Sequence, residues 1–217
     1  MLAIIQARLD SKRFPGKSLK KIYGKSMVER VYNRVKKAKE IKKVIIAIPK
    51  NKNNITLENF CLNNNFSYYK GSLKNVCERM YETAKKSKSK AFVRICGDSP
   101  LIDPYLIDYA VKIFNKKKID LVTNTFKKSC PSGQSIEVIK TTALKKILDK
   151  RLTPEEKEHV TKFFYNNIKN YKVYNFKIKN IRFKKLKFSV DTKKDLRNLI
   201  NKFSKKKFNN FNLIKKW

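Results

Sequence analysis

The 217-residue chain has little with which to hold a soft metal. It contains one histidine, and its four cysteines (Cys61, Cys77, Cys96, Cys130) form no CxxC pair. A Cys/His zinc site is therefore not expected, and the thiols read as reduced and mostly buried. No run approaches the ~20 apolar residues of a membrane helix. Leu2–Ile5 is too short for a signal sequence, so a cytoplasmic chain is expected. Glycine is scarce, at five residues, and the GxxxxGK[ST] phosphate loop is absent. Acidic residues number 17 against 54 lysines and arginines.

The resulting formal charge of +37 suggests nucleic acid as a partner. The excess is nearly all lysine and runs from Lys12 to Lys216, with no arginine cluster or aromatic–basic motif. It reads as a solvated background that attracts anionic substrates, and no specific nucleic-acid partner is expected. At 41% apolar the chain is not disordered. Its length suits one α/β domain over 1–217, which buries roughly 70% of its unfolded surface.

Apolar runs at Leu2–Gln6, Val44–Ile48, Ser67–Tyr69, Ala91–Ile95 and from Leu121 read as strands. Helical spacing falls between them. Ser26 and Glu29 form a capping box, Ile55–Cys61 fits a helix, Ser72 is a candidate cap, and Asp103-Pro104 reads as N-cap and N1. This alternation predicts a three-layer, mostly parallel α/β sheet. Further strands are expected at Gln134–Ile139, at Tyr171–Ile178 along an edge, and at Leu186–Val190. One helix is expected from Thr153 through Phe163, and a last one capped by Thr192.

Three segments carry chemistry. Gln6 to Lys17 follows the first strand, so it lies at the carboxyl edge where open α/β sheets bind ligands. Arg8, Lys12, Arg13 and Lys17, with the Ser11 hydroxyl and backbone amides, suit a triphosphate. Two arginines stand there in a chain that otherwise prefers lysine. Asp98 follows the Ala91–Ile95 strand, beside a glycine that allows close approach, and is suited to Mg²⁺ or to capping the turn into Pro100. Asp191 precedes a helix and reads first as helix-start chemistry. Beside Asp98 it would complete a metal site. His159 is structural or meets a substrate, and Gln134 and Glu137 lie on a strand that could face a sugar.

The stretches IIQARLDSKRFPGK, YKGSLKNVCERM, VRICGDSPLIDP, PSGQSIEVI, EHVTKFFYNN and VDTKKDL resemble, in order, the motifs of sugar-activating cytidylyltransferases. The CMP-Kdo synthetases are similar, and the spore coat polysaccharide biosynthesis protein F family is more so. That resemblance implies a GT-A-like nucleotide-diphospho-sugar transferase fold and a homodimer. It also implies the reaction of CTP with an acidic sugar, giving a CMP-sugar and pyrophosphate for surface polysaccharide. By position, Arg8, Arg13 and Lys17 would grip the triphosphate, and Ala7, Gly71 and Ser72 would line the base. Asp98 and Asp191 would hold Mg²⁺. Gln6, Ser11 and Lys12 would adjoin the nucleotide, and Arg79, Gln134, Glu137 and His159 the sugar. Leu9-Asp10 and Cys96 depart from the family pattern. A GT-A glycosyltransferase, a UTP- or GTP-dependent enzyme, an inactive scaffold and, from charge alone, a basic nucleic-acid-binding protein are the alternatives.

Overall fold

A computed structural model describes residues 1–127, 129–177 and 186–213. In chain order the elements begin with β1 (Leu2–Gln6), a β2–β3 hairpin (Lys21–Ile22, Lys25–Ser26), α1 (Met27–Lys36), β4 (Lys43–Pro49), α2 (Ile55–Asn63), β5 (Tyr68–Gly71) and α3 (Val76–Lys86). They continue with β6 (Ala91–Cys96), α4 (Pro104–Lys116), β7 (Leu121–Thr123), β8 (Glu137–Lys140), α5 (Thr141–Leu148) and α6 (Pro154–Glu158). Last come α7 (Lys162–Asn166), β9 (Val173–Asn175), α8 (Lys193–Lys202) and α9 (Lys205–Asn209).

The main sheet has the order β5-β4-β1-β6-β8-β7-β9. Its pairs are parallel except those of β8, which is antiparallel to both β6 and β7. Side-chain alternation along β1 divides the core, because successive residues of a strand point to opposite faces. Ala3 and Ile5 pack with Val28, Val31, Leu57, Ile107 and Leu199, from α1, α2, α4 and α8. Leu2 and Ile4 pack with Met80, Ala84, Leu144 and Phe164, from α3, α5 and α7. Helices thus cover both faces, as expected of three layers.

Several boundaries differ from expectation. Leu186–Val190 forms no strand: one isolated bridge joins Lys187 to Ser132, and the Phe188 and Val190 amides donate to Ser132 O and Asp98 O. These partners are loop residues, so no ladder continues. The helix expected from Thr153 through Phe163 breaks at His159, the C-cap of α6. Asn75, not Ser72, caps α3 and accepts from Glu78 N, while Ser72 Oγ accepts from Asn75 N. The last helix is α9 rather than α8. The β8 strand begins at Glu137, not Gln134, because the Gln134 side chain is bound to Asp103 N and Leu101 O. The edge strand β9 ends at Asn175, and Ile178 lies outside the described residues.

Thr192 and Asp195 form a full capping box on α8. Burial alone would raise the Asp195 carboxyl. Hydrogen bonds from Lys187, Thr192 and the Asp191 and Thr192 amides outweigh it and bring it from 3.8 to about 2. A depressed carboxylate stabilises the fold fully above its unfolded value and loses that contribution as pH falls. The loss through this group therefore falls between about pH 4 and pH 2. In acid unfolding followed by circular dichroism, Asp195→Asn should lower stability at neutral pH and flatten the wild-type decline over that window. A variant that keeps the full wild-type acid limb would show that Asp195 is not a source of it.

Candidate active site

Register places the first two strand ends side by side: Gln6 closes β1 opposite Cys96, which closes β6. Gly97 follows, and its amide donates to Gln6 O at 2.9 Å. A β-carbon at Gly97 would meet that same oxygen at 2.8 Å and the Ala7 β-carbon at 3.1 Å. The two chains can therefore converge only at glycine. The Val190 amide bonds Asp98 O at 2.9 Å, which draws Asp191 alongside Asp98. The loop after β1, the turn after β6 and the start of α8 thus meet at one edge.

The loop after β1 is closed on itself. Gly16 N donates to Leu9 O at 2.9 Å, and Ser18 Oγ to Arg8 O at 2.9 Å. Phe14 is buried beneath it. Asp10, the unexpected acid of this cationic loop, is held by amides: Asn54 and Asn51 donate to its Oδ2 at 2.8 and 3.2 Å. Leu9 N in turn donates to Asn54 Oδ1 at 2.8 Å. Asp10 thereby ties the loop to the turn after β4.

The loop carries Lys17 between the two aspartates. Its Nζ donates to Asp98 Oδ2 at 2.7 Å, to Val190 O at 2.9 Å and to Asp191 Oδ1 at 3.5 Å. Arg13 Nη2 reaches Asp191 Oδ1 at 3.1 Å from an exposed position. Lys187 reaches Asp191 Oδ2 at 3.1 Å. Burial would raise the Asp191 carboxyl, but the Lys187 hydrogen bond and the charges of Lys17, Lys187 and Arg13 hold it below its ordinary value. The Asp191 carboxylate is therefore ionised at neutral pH. Among the described residues no three His, Cys, Asp or Glu side chains form a metal cluster. The donors that converge on the Lys17 ammonium are two carboxylates and a carbonyl, the hard oxygens that Mg²⁺ takes before phosphate oxygens complete its shell. The residues fit such an ion.

A cleft of about 520 Å³ opens here. Gln6, Ala7, Arg8, Ser11, Lys12, Arg13, Lys17, Cys96, Asp98, His159 and Asp191 are among the residues around it. Gly71, Ser72, Arg79, Gln134 and Glu137 are outside its lining. Gly71 ends β5, two strands from β1, and Ser72 follows it. Gln134 is fully buried, bracing the Leu101–Asp103 turn. Glu137 lies beneath the cleft and is saturated: Arg94 donates to it at 2.5 Å and Thr161 at 2.6 Å, with Thr125 and Tyr165 more distant. Arg94 also donates to Gln6 Oε1, at 2.8 and 3.1 Å. Burial opposes the Arg94 charge, and Glu137 more than restores it. Burial likewise pushes the Cys96 thiol up to about 11, so it stays protonated.

Two participants escape sequence reasoning. Arg94 interrupts the apolar run Val93-Arg94-Ile95, which is a signal for a buried ion pair. Glu158 pairs with Arg8 at 2.9 Å from a segment far along the chain, where no local pattern marks it. A larger cavity of about 670 Å³ lies by α1 and α9, but the guanidinium groups of Arg30 and Arg34 there are spent on Ile22, Tyr23, Ile102 and Phe211 carbonyls.

A three-layer sheet with cations and paired carboxylates at its carboxyl edge defines an α/β protein of nucleotidyltransferase type. The chain belongs to the cytidylyltransferase family, whose model matches residues 2–215. It is 26% identical over 205 residues to the Bacillus subtilis spore coat polysaccharide biosynthesis protein SpsF, covering 92% of this chain and 84% of that one. Over 109 residues it is 34% identical to the 3-deoxy-manno-octulosonate cytidylyltransferase of Syntrophotalea carbinolica, half of this chain and 43% of the other. A solved cytidylyltransferase from Leptospira borgpetersenii superposes with a TM-score of 0.87 at 26% identity, over 94% of this chain and 88% of that one.

Gly97→Ala should destabilise the fold by about 1–3 kcal/mol through overpacking, read as a lower urea midpoint at unchanged slope. An unaltered midpoint would mean that the Gln6 carbonyl and the Gly97 turn are not in close approach.

Proposed function

We propose that the chain transfers a cytidylyl group from CTP to a hydroxyl of an acidic sugar, giving a CMP-sugar and pyrophosphate for surface polysaccharide. The observation that carries this reading is the Lys17 ammonium between Asp98 and Asp191 at the mouth of a cleft ringed by Arg8, Lys12 and Arg13. A family resemblance says what kind of reaction to expect. This constellation supports that reading.

In the proposed reaction the sugar oxygen bonds to the α-phosphorus, the bond from that phosphorus to the bridging oxygen breaks and leaves its electron pair on pyrophosphate, and the hydroxyl proton passes to solvent water. Negative charge shifts onto phosphate oxygens, so preorganised cations supply most of the stabilisation. Lys17, anchored and mostly shielded, sits where such charge would gather. Arg13, exposed, and Lys12 would clasp the outer phosphates, and the Ser11 hydroxyl and loop amides would fix their orientation. Ala7 beside the cleft and Gly71-Ser72 at the end of β5 would flank the nucleoside. His159, exposed at the cleft, and the Gln6–Arg94–Glu137 network beneath it would face the sugar. Asp98 and Asp191 would hold Mg²⁺, which when bound neutralises phosphate charge. Mg²⁺, a homodimer and a cytoplasmic setting belong to the same proposal. Among the described residues no helix is long and apolar enough to cross a membrane.

The test is pyrophosphate release with each of the four NTPs against a panel of nonulosonic and related acid sugars. Release is expected with CTP and an acid sugar together, and a preference for UTP or GTP would contradict the assignment. With the active pair, Arg13→Gln and Lys17→Gln should each lower kcat/KM by at least about 100-fold. A loss below about tenfold in both would remove the loop from catalysis.

A further inference from the structure

Glu158 pairs with one arginine and is coupled electrostatically to a second. Its carboxylate pairs with Arg8 at 2.9 Å, both side chains about a third exposed. Arg79, on α3, is 1% exposed. Its Nη1 donates to the Ser72 carbonyl, and its Nε and Nη2 are buried without a partner among the described residues. A guanidinium buried with two donor groups unmet is costly, so an acceptor is missing from its surroundings.

The packing points to which one. α3 lies against α6, the helix that ends at Glu158. Cys77 on α3 donates to Glu156 O at 3.1 Å and Val160 O at 3.7 Å, fixing the backbone on both sides of Glu158. The other acids near the cleft are engaged: Asp10 by Asn51 and Asn54, Asp98 and Asp191 by Lys17, and Glu137 by Arg94, Thr161 and Tyr165. Burial lowers the Arg79 pKa to about 10, Glu158 is the charge that supports its cation, and Arg8 and Arg94 oppose it.

We propose that Glu158 is a positioning residue that exchanges arginines: it neutralises Arg8 while the cleft is empty, and passes to Arg79 when a triphosphate takes Arg8. The proposal rests on the reading of Arg8 as a triphosphate ligand. Its consequence is an order of binding. Residues 158–161 carry both His159 at the cleft and Thr161, whose hydroxyl donates to Glu137. Drawing Glu158 onto Arg79 would set this acceptor-side segment only after the nucleotide has arrived. Arg79 also holds the Ser72 carbonyl, and a β-carbon at Gly71 would meet Arg79 Cγ at 2.8 Å, so the same guanidinium braces the turn proposed for the nucleoside.

The test uses CTP alone and needs no acceptor. CTP affinity is measured by calorimetry with Mg²⁺, and amide hydrogen exchange is followed over residues 156–166 with and without CTP. In the wild-type chain CTP should slow exchange of this segment by about tenfold or more. Glu158→Gln removes the carboxylate that competes for Arg8, so it should bind CTP about two- to fivefold more tightly and yet lose the added protection. Arg79→Gln should also lose the protection. If that variant does not fold, Glu158→Gln decides alone. Weaker or unchanged CTP binding by Glu158→Gln, or wild-type protection in it, would overturn the exchange. Failure of the wild-type chain to bind CTP would instead overturn the proposed reaction, and the exchange with it.

Discussion

The Lys17 ammonium, shared by Asp98, Asp191 and the Val190 carbonyl, is the interaction on which the site depends. It joins a loop after β1, a turn after β6 and the start of α8, segments separated by up to 174 residues. Two like charges cannot be brought together at a strand edge without a cation between them. Here the cation comes from a loop that is itself closed by Gly16, Ser18 and Asp10. The chain has three times as many cations as acids, and among the described residues most lysines form no ion pair. These two acids are instead each held by more than one partner.

The remaining acids near the cleft follow the same rule. Glu137 takes four donors and fixes Arg94, which in turn orients Gln6 at the end of β1. A buried ion pair of this kind adds little net stability, because desolvation offsets attraction. Its value lies in geometry: removing either partner would leave a buried charge uncompensated, so the floor of the cleft has one low-energy arrangement. Asp10 works similarly at the rim. An acid beside phosphates looks unfavourable in sequence, but its carboxylate accepts two amide donors and anchors the loop that presents the cations.

Much of this was legible in the sequence. The apolar runs at β1 and β4 are continuous, and that of β6 is broken only by Arg94, because these strands are covered on both faces, and their ends mark the ligand edge. Asp103-Pro104 and Thr192 cap the helices they were expected to cap, since capping is local chemistry. What was not legible depends on long-range placement. Nothing in Glu137–Lys140 says that it inserts antiparallel between β6 and β7. The stretch Leu186–Val190 has a strand's composition, but its neighbours are loops. Two-residue strands such as β2 and β3 are too short to carry a period. Among the site residues, the meeting of Lys17 and Asp98 followed from their places after β1 and β6, whereas Asp191 follows no strand and is brought there by the Val190–Asp98 hydrogen bond. The burial of Arg79 and the Arg8–Glu158 pair arise from the packing of α3 on α6, which one chain's pattern does not encode.

If Asp98 and Asp191 act on one cation, the Mg²⁺ dependence of CTP binding reads it directly. Calorimetric titration of the wild-type chain should show CTP binding tightened by at least about tenfold when Mg²⁺ is added. Asp98→Asn and Asp191→Asn should each abolish that gain, with the double variant no worse than either single one. A full Mg²⁺ gain retained in either variant would show that the two carboxylates do not share an ion, and the convergence at this edge would not be the seat of the chemistry.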